Sequence, residues 1–133
     1  MPRKVNRFVS SSAREEEELK RLSEELSEIL QYDKIILLCY AYLLKQDGEV
    51  NERTIFEMLG KEIDNIPEIL QRMMRDGLVI RGNAGYLPLH PRLAISNLYR
   101  LALARDEKVR QHRVRVDAIT ARLVKFREEV QKW

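Results

Sequence analysis

The stretch "MMRDGLVIRGNAGYLPL", Met73 to Leu89, constrains the fold more than any other: a helical run stops at Gly77, and two short apolar runs then flank Gly82-Asn83-Ala84-Gly85. A helix must pass directly into a small hairpin. Pro88 cannot donate to a ladder, so it marks the second run, "YLPL", as an edge strand. The residues before it supply three helices. Tyr32 to Gln46 is the most apolar, stopped by Asp47-Gly48, and Val50 after it can form a short strand. Asn51 then caps a brief helix through Leu59, with Ile55, Phe56 and Leu59 inward and Gly60 ending it. Asp64 can cap the third helix, whose Pro67 is tolerated in the first turn and whose buried face is Ile66, Leu70 and Met73.

Three helices followed by a two-stranded hairpin make a winged helix-turn-helix, mainly α with a small β-hairpin, over 32–90. In that arrangement the third helix is offered to the DNA major groove and the hairpin tip lies along the backbone or minor groove. The helix-to-wing join "MMRDGLV" and the "PLHPRLAISNLYR" that follows resemble the winged-helix part of TrmB-like transcriptional regulators, from about Tyr32 to Arg100. The resemblance implies DNA binding. Full-length TrmB-like proteins carry a sugar-binding domain after this point, which this sequence lacks, so sugar sensing does not transfer and any small-molecule effector is unknown.

Flanking helices are expected on both sides. The opening "MPRKVNRFVSSS" lacks periodicity and reads as a flexible basic arm over 1–12. Ser12 and Glu15 have capping-box spacing, and the acidic run Glu15 to Glu18 suits a helix start, so an acidic helix is expected over 13–31. Its Leu19, Leu22, Leu26 and Ile29 form a narrow apolar stripe that needs a partner. From His90 the chain reads as one long coiled-coil helix over 91–133, with no glycine and no proline after Pro91. Heptad positions a (Ile95, Ala102, Val109, Val116, Leu123, Val130) and d (Leu98, His112, Ile119 and Phe126, with Arg105 and Trp133) make a dimerisation seam. Such a helix would be about 65 Å long and should protrude.

A parallel pair of these helices would set Lys108 against Arg113 and Arg122 against Arg127 across the chains, and bury Arg105 and His112 at a desolvation cost. The N-terminal helix is a better match. Its Glu16, Glu18 and Glu25 flank the leucine stripe, so acidic flanks meet basic ones, and residues 14 to 30 are expected against the C-terminal helix of their own or a partner chain. The resulting dimer would be a helical bundle.

On the outward face of the third helix, Asn65, Glu68, Gln71, Arg72 and Arg75 are the candidate base readers, since Asn and Gln can pair with adenine and Arg with guanine. Arg81 and Asn83 on the wing and Arg3, Lys4 and Arg7 in the arm are candidate backbone contacts; Asn83 also suits the turn, and Arg81 also suits simple exposure. Charge complicates this. Residues 32–90 hold seven Lys/Arg against nine Asp/Glu, a net of −2, whereas 91–133 hold eleven against five, a net of +6. Phosphate binding needs basic side chains, so the winged part alone should bind weakly, with help from the arm and from Arg92 and Arg100.

Other classes fare worse. Ile35 to Leu44, the longest apolar run, is far short of the roughly 20 residues of a membrane helix. The basic start has no apolar segment behind it, so no secretion signal is expected and a reducing cytoplasm fits. With one cysteine an intramolecular disulfide is impossible and a cysteine-based zinc site is not expected. His90 and His112 lie far apart, no nucleophile triad or phosphate-binding glycine loop is present, and Cys39 sits mid-run in the most apolar helix. The reading is a non-enzyme without cofactor or metal: a homodimeric regulator of double-stranded DNA, or alternatively a winged-helix protein-interaction scaffold with coiled-coil oligomerisation.

Overall fold

Local capping chemistry sets where most helices begin and end in the computed structural model, which describes the backbone of residues 2–59 and 65–131 and the side chains of 13–59 and 65–130. The chain is mainly helical: α1 (Pro2–Leu30), α2 (Lys34–Leu44), α3 (Glu52–Leu59), α4 (Ile66–Arg75), the strands β1 (Val79–Arg81) and β2 (Tyr86–Pro88), α5 (Pro91–Arg105), a short 3₁₀ helix (Glu107–His112) and the long α6 (Arg113–Gln131). The Asp33 carboxylate accepts the N–H of Ile35 at 2.8 Å to start α2, and Asn51 Oδ1 accepts the N–H of Thr54 at 2.8 Å to start α3. The Nδ1 atom of His90 accepts the N–H of Arg92 at 3.1 Å at the head of α5.

The join after α4 is a Schellman turn. Gly77 has φ +80°, its N–H donates to the Met74 carbonyl at 3.3 Å, and that of Leu78 donates to Met73 at 2.8 Å. The side chains of Met73 and Leu78 are both fully buried, which supplies the apolar contact that accompanies this turn. A Cβ at Gly77 would also strike the Asn97 side chain, so glycine is required twice over. β1 and β2 pair antiparallel with Val79 opposite Pro88, Ile80 opposite Leu87 and Arg81 opposite Tyr86. On its other side Tyr86 exchanges two hydrogen bonds with Val50, at 2.9 and 2.8 Å. Val50 therefore adds a single-residue third strand that ties the α2–α3 turn to the hairpin.

One continuous core joins all six helices and the hairpin, and α2 lies within it with Ile36, Leu37, Cys39, Tyr40, Ala41, Leu43 and Leu44 all buried. Leu19, Leu22, Leu26 and Ile29 of α1 are buried in the same core, packed with α6 of their own chain. The ion pairs fall where charge matching placed them: Arg122 Nε donates to Glu18 at 2.8 Å and Arg115 lies 3.7 Å from Glu25, so the two helices run antiparallel.

Four expectations are corrected. The helix expected from Ala13 begins at Pro2, so the 1–12 segment has helical backbone from residue 2 onward and Ser12 lies inside the helix rather than at its cap. Each residue added to an existing helix gains a hydrogen bond, and proline suits a first turn whose N–H groups have no acceptor. Asn65, not Asp64, occupies the N-cap position of α4, without a side-chain cap bond; Asp64 and Gly60 lie outside the described residues. Phe56, expected inward, is 50% exposed, because Ile55 alone of α3 is fully covered.

The fourth correction is the largest: the 91–133 helix is not continuous and does not protrude. Asp106 is extended at φ −151° and ψ 109°, and its carboxylate accepts the N–H of Lys108 at 2.9 Å to start the 3₁₀ turn. Arg105, at the last residue of α5, donates to the terminal carbonyl of α1 at Leu30, 3.1 Å away. α6 then returns along α5 and α1. The seam residues Ile95, Leu98, Ala102, Val109, Val116, Ile119, Leu123 and Phe126 are all buried inside this one chain, with His112 and Val130 half-buried. Folding back wins because each large apolar side chain removed from water contributes about 1.5–3 kcal/mol, while the break interrupts only a few backbone bonds, which Asp106 and the 3₁₀ turn partly replace.

Candidate nucleic-acid interface

The outer face of α4 and the hairpin beside it hold most of the candidate contact residues. Ile66, Leu70 and Met73 turn inward and anchor the helix, which leaves Asn65, Glu68, Gln71 and Arg75 exposed on the opposite side. Arg75 is 72% exposed, with Nε 3.3 Å from the Asp76 carboxylate. Arg72 does not join this row. Its guanidinium lies over the Tyr32 ring at 4.8 Å, and it approaches Asp76 at 3.5 Å and Asp33 at 4.0 Å. It ties the end of α4 to the start of α2 while its side chain stays 39% exposed: a cation one turn from Asp76 and beside an aromatic ring is engaged by both.

The same cluster sets the state of Tyr32. Its hydroxyl donates to Asp76 at 2.5 Å, and burial first, then this hydrogen bond and the Asp76 charge, push the phenol well above its ordinary value. Asp76, whose side chain is 10% exposed, therefore receives Tyr32 and lies beside both arginines.

On the hairpin, Arg81 is exposed with its guanidinium 6.0 Å from the Tyr86 ring, and Asn83 is exposed in the turn. The tip is braced from outside. One Glu49 carboxylate oxygen accepts the N–H groups of Ala84 at 2.9 Å and of Gly85 at 3.0 Å, and Gly82 donates to the Gly85 carbonyl at 2.7 Å. Gly85 also passes so close to the Val50 backbone that a Cβ there would collide with it. Sequence reasoning missed Glu49; a lone carboxylate after Asp47-Gly48 has no local pattern linking it to a turn 35 residues away.

A second tie lies at the same, C-terminal end of α4. Asn97 of α5 donates to the Gly77 carbonyl at 2.9 Å, and exposed Arg100 donates in turn to Asn97. Arg92 is exposed at the head of α5. Arg3, Lys4 and Arg7 lie on the backbone helix of α1, but their side chains fall outside the described residues.

Burial pushes the Cys39 thiol up to about 12, which leaves it protonated near neutrality and unsuited to attack. Among the described residues no group of three or more His, Cys, Asp or Glu is placed to hold a metal ion, and no helix is long and apolar enough to cross a membrane. Compared with protein-family models, with curated proteins and with solved structures, the chain matches none.

Proposed function

We propose that the chain is a cytoplasmic DNA-binding transcriptional regulator whose α2, α3, α4 and hairpin act as a winged helix-turn-helix, with the TrmB-like resemblance of the same stretch as supporting evidence. The observation that carries this reading is the pairing of two surfaces: a helix anchored on one face that exposes Asn65, Glu68, Gln71 and Arg75 on the other, and a hairpin tip held stiff by Glu49. Amide and guanidinium groups on a rigid helix are what base-edge recognition uses, and a fixed wing positions it through backbone contacts. Arg75 and Gln71 read bases in this scheme, Arg81 contacts backbone, and Arg72 holds the helix in place. Two copies on a two-fold operator must meet through a surface other than the heptad seam, which is consumed within each chain.

The net charge of −2 over 32–90 favours one alternative, a winged-helix module that binds a basic protein partner. Binding to selected duplex DNA by fluorescence anisotropy, across a salt series, separates the two. The regulator reading requires affinity that falls steeply with salt, and a loss on Gln71→Ala and Arg75→Ala of about 1–3 kcal/mol per base contact with unchanged melting temperature. Duplex binding that is absent, or is the same for both variants, overturns it.

A further inference from the structure

We infer that the outward face of α6 is a self-association surface: it takes a second copy of this chain, antiparallel, about a two-fold axis at Ala121. Opposite the buried seam of α6 stand Val114, Ala118, Ala121 and Lys125, all exposed and spaced so that they share one side of the helix. Asp117, Glu128 and Glu129, also exposed, border them.

The apolar character of this face is the first observation. Val114 is 81% exposed, more than any other large apolar side chain among the described residues. The outer side of a solvated helix is normally polar, and valine is a poorer helix former than alanine or the charged residues around it, so helix propensity gives no reason for it to stand in water there. Ala118 and Ala121 continue the face. Alanine also suits a solvated helix, but at a contact its small side chain lets two helix axes approach to the short end of the about 8–10 Å range of packed helices.

The order of charge along α6 is the second observation, and it selects both the occupant and its direction. Arg113 and Arg115 are exposed at the N-terminal end, Glu128 and Glu129 at the C-terminal end. The arginines have loose partners within the chain, Asp117 at 3.9 Å and Glu25 at 3.7 Å, whereas the two glutamates have no ion pair among the described residues. A second copy turned about Ala121 runs antiparallel, so Arg113 of each copy meets Glu128 of the other, and Arg115 of each comes beside Glu129 of the other. Val114 then lies within a turn of the Lys125 stem of the second copy, which can cover it while its ammonium stays in water. A parallel copy would set every group against itself, arginine on arginine and glutamate on glutamate. Exposed ion pairs are individually weak and screened by salt, so they fix the direction, while the apolar contact supplies the affinity.

This surface uses no residue of α4 or the hairpin and does not depend on the DNA-binding reading. Where that reading holds, the same axis relates two α4 helices, as a two-fold operator requires.

The test is sedimentation velocity on the full chain, without DNA, over a concentration series, so that failure of self-association and failure of duplex binding are read separately. A reversible monomer–dimer equilibrium is expected. Ala121→Glu places a good helix former at an exposed site but sets two carboxylates together on the axis; it should weaken association about tenfold or more and leave the melting temperature of dilute protein unchanged. Under mild oxidation Ala121→Cys should give a disulfide-linked dimer, because a residue at the axis meets its own copy, while Val114→Cys should not. The parent, whose Cys39 is buried, is the control for both. The inference is overturned by a chain that stays monomeric at every concentration, which would leave the face to a different protein, by Ala121→Glu associating as the parent does, or by Val114→Cys cross-linking as readily as Ala121→Cys, the mark of a parallel pair.

Discussion

α4 and α6 are both amphipathic and rich in arginine, yet they spend their cations differently. On α6, Arg115 and Arg122 reach Glu25 and Glu18 of α1, and Arg127 donates to the carbonyls of Leu44 and Gln46 at 3.2 and 2.9 Å. On α4 Arg72, 39% exposed, is engaged by Asp33 and Asp76, while Gln71 and Arg75 remain on the surface. The 91–133 segment carries the chain's excess positive charge, but much of it is matched to α1 and to helix-end carbonyls. The more acidic 32–90 segment holds the exposed polar face. Segment charge is therefore a poor guide to which surface meets a partner; what matters is which cations the fold has already paired.

The contrast can be broken first through the α1–α6 contact. Leu123 of α6 is 2% exposed, so Leu123→Ala should cost about 2–5 kcal/mol in urea unfolding. If α6 instead stood away from the body, as a protruding coiled coil would, the cost would be within about 0.5 kcal/mol, that of a surface change.

The core helix α2 sets a pH limit. The Cys39 thiol is raised from 9.0 to about 12, so its neutral form contributes full stability below pH 9, and that contribution is lost as pH rises from 9 to 12. At about 1.36 kcal/mol per unit the loss reaches at most about 4 kcal/mol. The Tyr32 and Tyr40 phenols, also raised by burial, steepen the decline above pH 10. Unfolding free energy measured from pH 8 to 10.5 should fall, and Cys39→Ala should flatten its first part; an unchanged slope would show that the thiol is accessible to water in the fold.

Arg72 and Arg75 sharpen the comparison within one helix. Arg72→Ala should cost about 1–3 kcal/mol, because it leaves the buried Asp76 short of a partner and uncovers Tyr32. Arg75→Ala should stay within about 0.5 kcal/mol. Equal losses in thermal melts would return Arg72 to the outer face. The smallest effect is expected at Glu18→Gln: its pair with Arg122 is partly exposed, so about 0.2–1 kcal/mol should vanish, and less at high salt.

Much of this molecule is decided within a few residues of each feature, and there the sequence is sufficient. Asn51 capping α3, Gly77 ending α4 in a left-handed turn and the hairpin around residues 82–85 follow from backbone chemistry that has one cheap solution. The leucine stripe of α1 and the charges beside it even named the C-terminal helix as partner, since Glu18 and Glu25 do meet Arg122 and Arg115. Tertiary structure alone decided that the partner lies in the same chain, that Arg72 serves Tyr32 and Asp76, that Glu49 braces the hairpin tip and that Tyr99 faces Arg113. The reason is that a heptad pattern states which face must leave water and is silent about what covers it. A break at Asp106 returns α6 through a seven-residue connection, 106–112, at high local concentration, whereas a second chain would have to give up about 4–15 kcal/mol of translational and rotational freedom to bury the same seam.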